Sequence, residues 1–412
     1  MDYSIRKNCT LCKSKKLDLV LNFKKTPLAN SYEKIELKKT KLFPLNVLIC
    51  NACGHLQLRE LVKPHIMFNN YLYVSGTSKV LVKHFQQYAE KIIKKFDIKK
   101  NQNILDIACN DGTFLENFTK KNFKNVVGVE PAKNLKQVNI KKKIKIHNFF
   151  FNQKNSNILK NQYNSFKIIT ANNVCAHVPD LKNFFLGIKN ILAKDGCMIF
   201  EVSYLGDVIR KLTFDTIYHE HMSYHSLKPL INFFKGLDLE IFDFDRVKAQ
   251  GGSIRIYISH KGKFKKNYSK INRLMQLEDN MRIFNKTLYK NYLKRIDKVK
   301  MKLKKIFQNN KKNKIKTIGY GAPAKLTTFS YVLGLKKDYF QAIVDDSSYK
   351  QKLLTPGRKI KIISFNDLSK FKFDMILIFA WNFSDPIVLK LKKFFKNKKI
   401  IIPFPNVRIL KI

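Results

Sequence analysis

At 412 residues, 45% of them hydrophobic and 12% aromatic, the chain is too long for one core and too apolar to be disordered, so two or three packed domains are expected. The formal charge of +50 would suit a nucleic-acid binder, yet the lysines run with Asn, Ile and Phe along the whole chain, without an arginine-rich stripe or basic tail. Nucleic acid is therefore not the expected partner, whereas attraction of anionic small molecules, nucleoside diphosphates included, is.

In chain order, the stretch from Met1 to Lys16 is polar and basic and carries no signal-peptide pattern. No apolar run reaches bilayer-spanning length, so a cytoplasmic, membrane-free protein is expected. Cys9 and Cys12, then Cys50 and Cys53, form two Cys-x-x-Cys pairs. A pair of thiolates at that spacing grips one metal from a tight turn, and two pairs complete a tetrahedral zinc site. Gly54 follows the second pair, where a knuckle tolerates positive φ. The long segment between the pairs is expected to carry short strands of its own. Disulfides are the alternative, disfavoured in a cytosolic setting. With four protein ligands the site is closed and structural.

His84 to Phe96 reads as an amphipathic helix. The run from Asn103 to Leu115 (NILDIACNDGTFL) is a buried strand, a small-residue turn and a helix start, the arrangement that lets backbone approach a ligand closely. A second strand, Asn125 to Glu130, ends in a carboxylate, which in doubly wound folds accepts hydrogen bonds from ribose. A third, Phe166 to Ala171, leads into Asn172 to Asp180, and a fourth spans Gly196 to Glu201. Strands alternating with helices predict a parallel sheet with its working loops at the carboxyl ends. A nicotinamide dehydrogenase is the competitor, but the turn lacks a full Gly-x-Gly-x-x-Gly.

From Asp215 to His225 the chain reads DTIYHEHMSYH, a costly segment to bury without a chemical use. Its histidine spacing does not match the helical His-Glu-x-x-His of zinc enzymes. Tyr268 to Phe307 reads as a basic helical stretch with Leu274, Leu277, Met281 and Phe284 on an apolar face packed between domains. Lys311 to Lys316 is the expected linker. From Thr317 a second strand-turn-helix unit begins, with further strands at Phe340 to Asp345, Met375 to Ala380 and Lys399 to Pro403. The domains expected are a zinc-binding module at 1–68, an α/β domain at 69–260, a helical linker at 261–313 and a C-terminal Rossmann-like α/β domain at 314–412.

The central pattern resembles the class I S-adenosylmethionine (SAM) methyltransferases, although Ala108 stands where glycine is common. The run from Phe214 to Tyr224 resembles the hallmark of the nucleotide-sugar C-methyltransferases of deoxysugar pathways. The double Cys-x-x-Cys, Tyr71 to Ser78, Asn172 to Asp180, Gln250 to Arg255, Gly319 to Lys325 and Val344 to Lys350 agree with it in order.

The resemblance implies a Rossmann-like SAM domain in which Asp106, Ala108, Asn110, Asp111 and Gly112 wrap the methionine end of the cofactor, with Asn172 beside it. It places Glu130 on the ribose and Asn148 and Phe149 at the adenine. The implied chemistry is removal of a proton beside a sugar ketone, then attack of the enolate on the sulfonium methyl. His221 is the implied base, with Tyr218 and Glu220 as near partners and His177 polarising the keto oxygen; which of the three takes the proton stays open. Tyr71 and Tyr73 would cover the sugar and Asn173 would bond to a substrate oxygen; Arg255, with Gly251 and Gly252, would meet the diphosphate, or else residues 250–258 are only a strand turn. Gly321, Ala322 and Lys325 are the nucleotide-sugar candidates in the last domain, or else that domain only buttresses the catalytic one; Leu326 departs from the family's glycine there. A methyltransferase for a sugar oxygen or a small acid is the first alternative, a zinc-containing nucleic-acid binder the second. The oligomeric state is open.

Overall fold

The computed structural model describes residues 2–34, 39–68, 74–135 and 144–412. Tyr71 and Tyr73 lie outside the described residues.

Short apolar runs make the central sheet. Ile104–Ile107 and Val126–Val129 are buried at every position, as parallel strands covered on both faces must be. The seven strands lie in the order Leu239–Val247, Ser253–His260, Leu192–Ser203, Phe166–Asn172, Ile104–Ile107, Val126–Val129, Lys145–His147. The last five are mutually parallel, while Ser253–His260 runs antiparallel to both neighbours. Helix Lys79–Lys95 starts where the Ser78 side chain accepts from the Leu81 N–H, and it buries Leu81, Phe85, Tyr88, Ala89 and Ile92 on one stripe. Helix Leu181–Ile191 is capped by Asp180 and packs Phe184, Phe185 and Ile188 into a core with Phe200 and Phe234.

The N-terminal sheet is antiparallel, in the order Ser223–Tyr224, Leu56–Leu58, Phe43–Cys50, Leu17–Thr26. Its edge strand comes from far along the chain: Ser223 pairs with Gln57 and Tyr224 with Leu56. The expected boundary near residue 68 thus divides the chain but not the sheets.

The stretch from Tyr268 to Phe307 is two helices, Tyr268–Asn280 and Lys286–Lys312, capped by Asn267 and Asn285. Between them Arg282 adopts φ +53°. Leu274 is buried as expected, but Leu277 is 45% exposed, off the buried stripe of Ile271, Leu274 and Glu278. The second helix continues through Lys312, so the expected linker from Lys311 shortens to residues 313–316. Tyr289, Tyr292, Ile296, Val299, Leu303 and Phe307 recur at three- and four-residue steps along it. They fill one core shared with Leu21, Phe23 and Val47 of the N-terminal sheet and with Phe329, Phe340 and Phe404 of the last domain. That domain is built on a sheet in the order Ile362–Ile363, Ile343–Val344, Thr317–Tyr320, Met375–Ile378, Lys399–Ile402, Arg408–Lys411, parallel except for its final strand. Among the described residues no helix is long and apolar enough to cross a membrane.

Candidate active site

The four paired cysteines converge. Their Sγ atoms all lie within 4.8 Å of one another, with Cys9 and Cys53 3.6 Å apart and Cys12 and Cys50 3.5 Å apart. Zinc–sulfur bonds of about 2.3 Å place tetrahedral sulfurs about 3.8 Å apart, whereas a disulfide needs about 2.05 Å. The donor set therefore fits zinc. Gly54, at φ +81°, donates its N–H to the Cys50 carbonyl at 2.8 Å, and any Cβ there would collide with the Phe284 ring.

At the carboxyl ends of the central strands, Asp106 accepts from the Thr170 hydroxyl at 2.7 Å and from the Asn172 amide at 3.2 Å. Burial pushes its carboxyl up to about 8. Glu130 takes one backbone N–H on each oxygen, from Asn110 and from Ala132, both at 2.8 Å, and burial raises it as well. The Asn148 amide donates to the Glu130 carbonyl at 3.0 Å, which brings the end of strand Lys145–His147 beside that residue; Phe149 packs half-buried against the core. The turn itself is left-handed at Ala108 (φ +54°), Asn110 (+55°) and Gly112 (+70°). At Ala108 the fold holds an alanine where such backbone costs about 1–2 kcal/mol, so the turn is imposed by its surroundings. A second segment straps the loop: the N–H groups of Ser75 and Gly76 donate to Asn110 Oδ1 (2.9 Å) and Asp111 Oδ2 (3.1 Å). A Cβ on Gly76 would lie 2.5 Å from Asp111 Oδ2, so only glycine fits the strap.

The histidine-rich segment is divided by its contacts. His219 gives its Nε2 proton to the Pro44 carbonyl (3.1 Å) and His225 to that of Cys175 (3.1 Å), which marks both as buried connectors. His221 differs. Its Nδ1 lies 2.6 Å from the Thr216 carbonyl, which can only accept, so Nδ1 carries the proton. Burial drives the imidazole well below 6.5, so it is neutral and its Nε2 is an acceptor. The Tyr218 hydroxyl donates to that atom at 2.9 Å. His177 packs edge-on against the His221 ring at 5.0 Å, and burial lowers it to about 4. The Met222 N–H donates to the Ala176 carbonyl at 2.6 Å, pinning the two segments together. Glu220 accepts from the Asn30 amide at 2.7 Å, a partner from the N-terminal module that sequence patterns did not single out.

Residues 9–68 match a family described as a zinc binding domain, 81–243 a methyltransferase domain family, and 248–405 the C-methyltransferase C-terminal domain family. The C-methyltransferase NovU of Streptomyces niveus is 26% identical over 394 residues, covering 95% of this chain and 94% of that protein. The chain is a SAM-dependent methyltransferase, similar over nearly its whole length to a C-methyltransferase. Solved structures are similar to part of it: a SAM-dependent methyltransferase of Clostridium acetobutylicum is 16% identical, covering 44% of this chain and 92% of that one, at a TM-score of 0.35. One from Anabaena variabilis is 15% identical, covering 44% and 95%, at 0.34.

The cofactor loop of this methyltransferase fits SAM. Asn172 Oδ1 is buried without a partner, an acceptor suited to the cofactor's ammonium beside Asp106. Glu130, oriented by two N–H groups, keeps lone pairs for the ribose hydroxyls. Glu130→Ala is expected to weaken SAM binding by about a hundredfold, since charge-assisted bonds are lost and the Asn110 and Ala132 donors are released. Calorimetric titration of the zinc-loaded protein checks this.

On the acceptor side several expectations change. Arg255 is 4% exposed, its guanidinium forks onto Glu201 Oε2 (3.0 and 2.7 Å) and it lies 3.4 Å above the Tyr88 ring. With its donors turned inward it braces the central sheet and does not face a diphosphate. Gly321, at φ +87°, owes its identity to Ala380, whose Cβ would sit 2.5 Å from a side chain there. Gly251 makes room for the Trp381 ring, 2.7 Å from where its Cβ would stand, and Gly252 for Asp207. The Ala322 carbonyl accepts from Tyr32 (2.5 Å) and Lys350 (2.8 Å). Lys325 is 6% exposed, donates to the Gln250 carbonyl at 3.3 Å and lies 4.8 Å from the Trp381 ring centre. Asn173 sits at φ +58° with its N–H on the Glu201 carbonyl, beside the cofactor loop.

Proposed function

We propose that this chain methylates carbon, beside the ketone of a nucleotide-linked deoxysugar, and that Tyr218 is the group that meets the acceptor's C–H. The observation that carries the reading is the buried chain Tyr218 hydroxyl, His221 Nε2, His221 Nδ1, Thr216 carbonyl. Bound SAM supplies an electrophilic sulfonium methyl. His221 Nε2 takes the phenol proton, and the Tyr218 oxygen takes the proton from the acceptor carbon, whose electron pair delocalises into the ketone. The Thr216 carbonyl stabilises the imidazolium through Nδ1–H. Neutral His177, edge-on to His221, donates to the enolate oxygen. Glu220, held by Asn30, orients the acceptor's hydroxyls. NovU, similar over nearly its whole length, is itself named a C-methyltransferase, which supports carbon as the acceptor atom.

The test is incubation with SAM bearing a deuterated methyl and a panel of nucleoside-diphosphate keto sugars, with NMR of the product. A methyl on carbon supports the reading; a methyl on oxygen, or no transfer to any keto sugar, ends it. The pH profile provides a second check. His221 must be neutral to accept, and burial depresses its pKa, so the neutral form persists below 6.5. At saturating SAM, whose ammonium holds Asp106 charged, kcat is therefore expected to show no limb near 6.5 and to fall only as pH drops through the depressed value. An acid limb centred near 6.5 would show a solvated histidine instead.

A further inference from the structure

The segment carrying the proton relay is gripped from outside its own domain. Thr216, whose carbonyl fixes the His221 proton on Nδ1, stands between Asp215 and Ile217. Both neighbours are held by the C-terminal domain. Trp381 donates its indole N–H to Asp215 Oδ2 at 2.5 Å, and the Thr328 hydroxyl donates to the Ile217 carbonyl at 2.8 Å. Asp215 and Thr328 are 0% exposed and Ile217 is 1% exposed, so no water replaces these bonds. Asp215 Oδ1 is buried with no partner, which makes the indole bond this carboxylate's side-chain anchor. The hydroxyl beside Thr328 serves the other flank: Thr327 donates to the Ala29 carbonyl at 3.2 Å, next to the Asn30 that holds Glu220. Trp381 is the chain's single tryptophan and reaches Asp215 only because Gly251 leaves room for its ring.

We infer that Thr328 and Trp381 are positioning residues that hold the Thr216 carbonyl against His221 Nδ1 and thereby set the histidine tautomer that accepts from Tyr218. The C-terminal domain thus assembles the base across a domain junction, whatever else it binds. The inference rests on the relay proposed above. A misplaced carbonyl lets the proton settle on Nε2, which then donates to the phenol oxygen instead of accepting from it, and the relay stops with the cofactor loop untouched.

The experiment uses the full, zinc-loaded chain with S-adenosylhomocysteine and nitrogen-15-labelled histidine. The resonances of the 9 histidines are compared, with His221 assigned by their loss in His221→Asn. The wild type is expected to show His221 protonated on Nδ1. Thr328→Val and Trp381→Phe are expected to show a mixed or Nε2-protonated ring, and Thr328→Ser to restore the original signal. Transfer to a panel of nucleoside-diphosphate keto sugars should lose at least about tenfold in kcat in the first two variants, with KM and cofactor affinity unchanged. A cooperative melting transition, lowered by no more than the lost buried bond costs, and unchanged SAM binding separate this from misfolding. If Thr328→Val and Trp381→Phe keep the Nδ1 tautomer and the wild-type kcat, the inference is wrong. Full activity in Tyr218→Phe would remove the relay reading instead, and the tautomer shift would still report on positioning.

Discussion

Tyr218→Phe is expected to lower kcat by about 10²–10⁴ while leaving SAM affinity and melting temperature near wild type. The substitution removes one oxygen from a ring that is 8% exposed and stacked 4.1 Å from the His221 ring, so the packing survives. On the proposed relay, what is lost is the oxygen that passes the acceptor's proton to His221 Nε2. His221→Asn should cost as much again in isolation but little on top of Tyr218→Phe, because the two residues pass one proton. Additive losses in the double variant would mean that they act separately. Single-turnover kinetics with pre-bound cofactor read the chemical step directly.

Removing the zinc, by chelation or by Cys50→Ser, is expected to lower the melting temperature by more than about 10 °C and to abolish transfer, although the metal has no part in the proposed relay. Structural zinc sites contribute roughly 10–16 kcal/mol of apparent binding energy, which is folding energy for a small module. Here the loss travels. Cys50 ends the strand Phe43–Cys50, which pairs with Leu56–Leu58, and that strand carries Ser223–Tyr224, just after His221. The same module supplies Asn30 to Glu220 and the Pro44 carbonyl to His219. Differential scanning calorimetry, with parallel measurement of zinc content and methyl transfer, checks it. Full activity in a zinc-free chain would show that the module only decorates the enzyme.

The parts legible in the sequence were those whose members are close together along the chain. Asp106 to Gly112 form one turn, Glu130 ends the next strand, and Tyr218 to His221 fit in a single loop. Arg255 was misread for a related reason. Its place beside glycines suggested a ligand, while its true partners, Glu201 and Tyr88, come from a neighbouring strand and a helix that no local spacing connects to it. Asn30 and Thr328 left no mark in the sequence, and Trp381 only its solitude as the one tryptophan.

By itself the sequence determined the converging cysteine set, the alternation that makes two α/β sheets, the small-residue turn with the carboxylate of Glu130 beside it, and the histidine-rich segment. These follow from chain stereochemistry and from residue types at short spacing. Only the tertiary structure decided that His219 and His225 are connectors while His221 faces Tyr218, that the N-terminal sheet borrows Ser223–Tyr224, and that the last domain grips Asp215 and Ile217. The reason is physical: a histidine's role depends on which nitrogen finds an acceptor, and the acceptor is a buried carbonyl placed by packing rather than by side-chain identity.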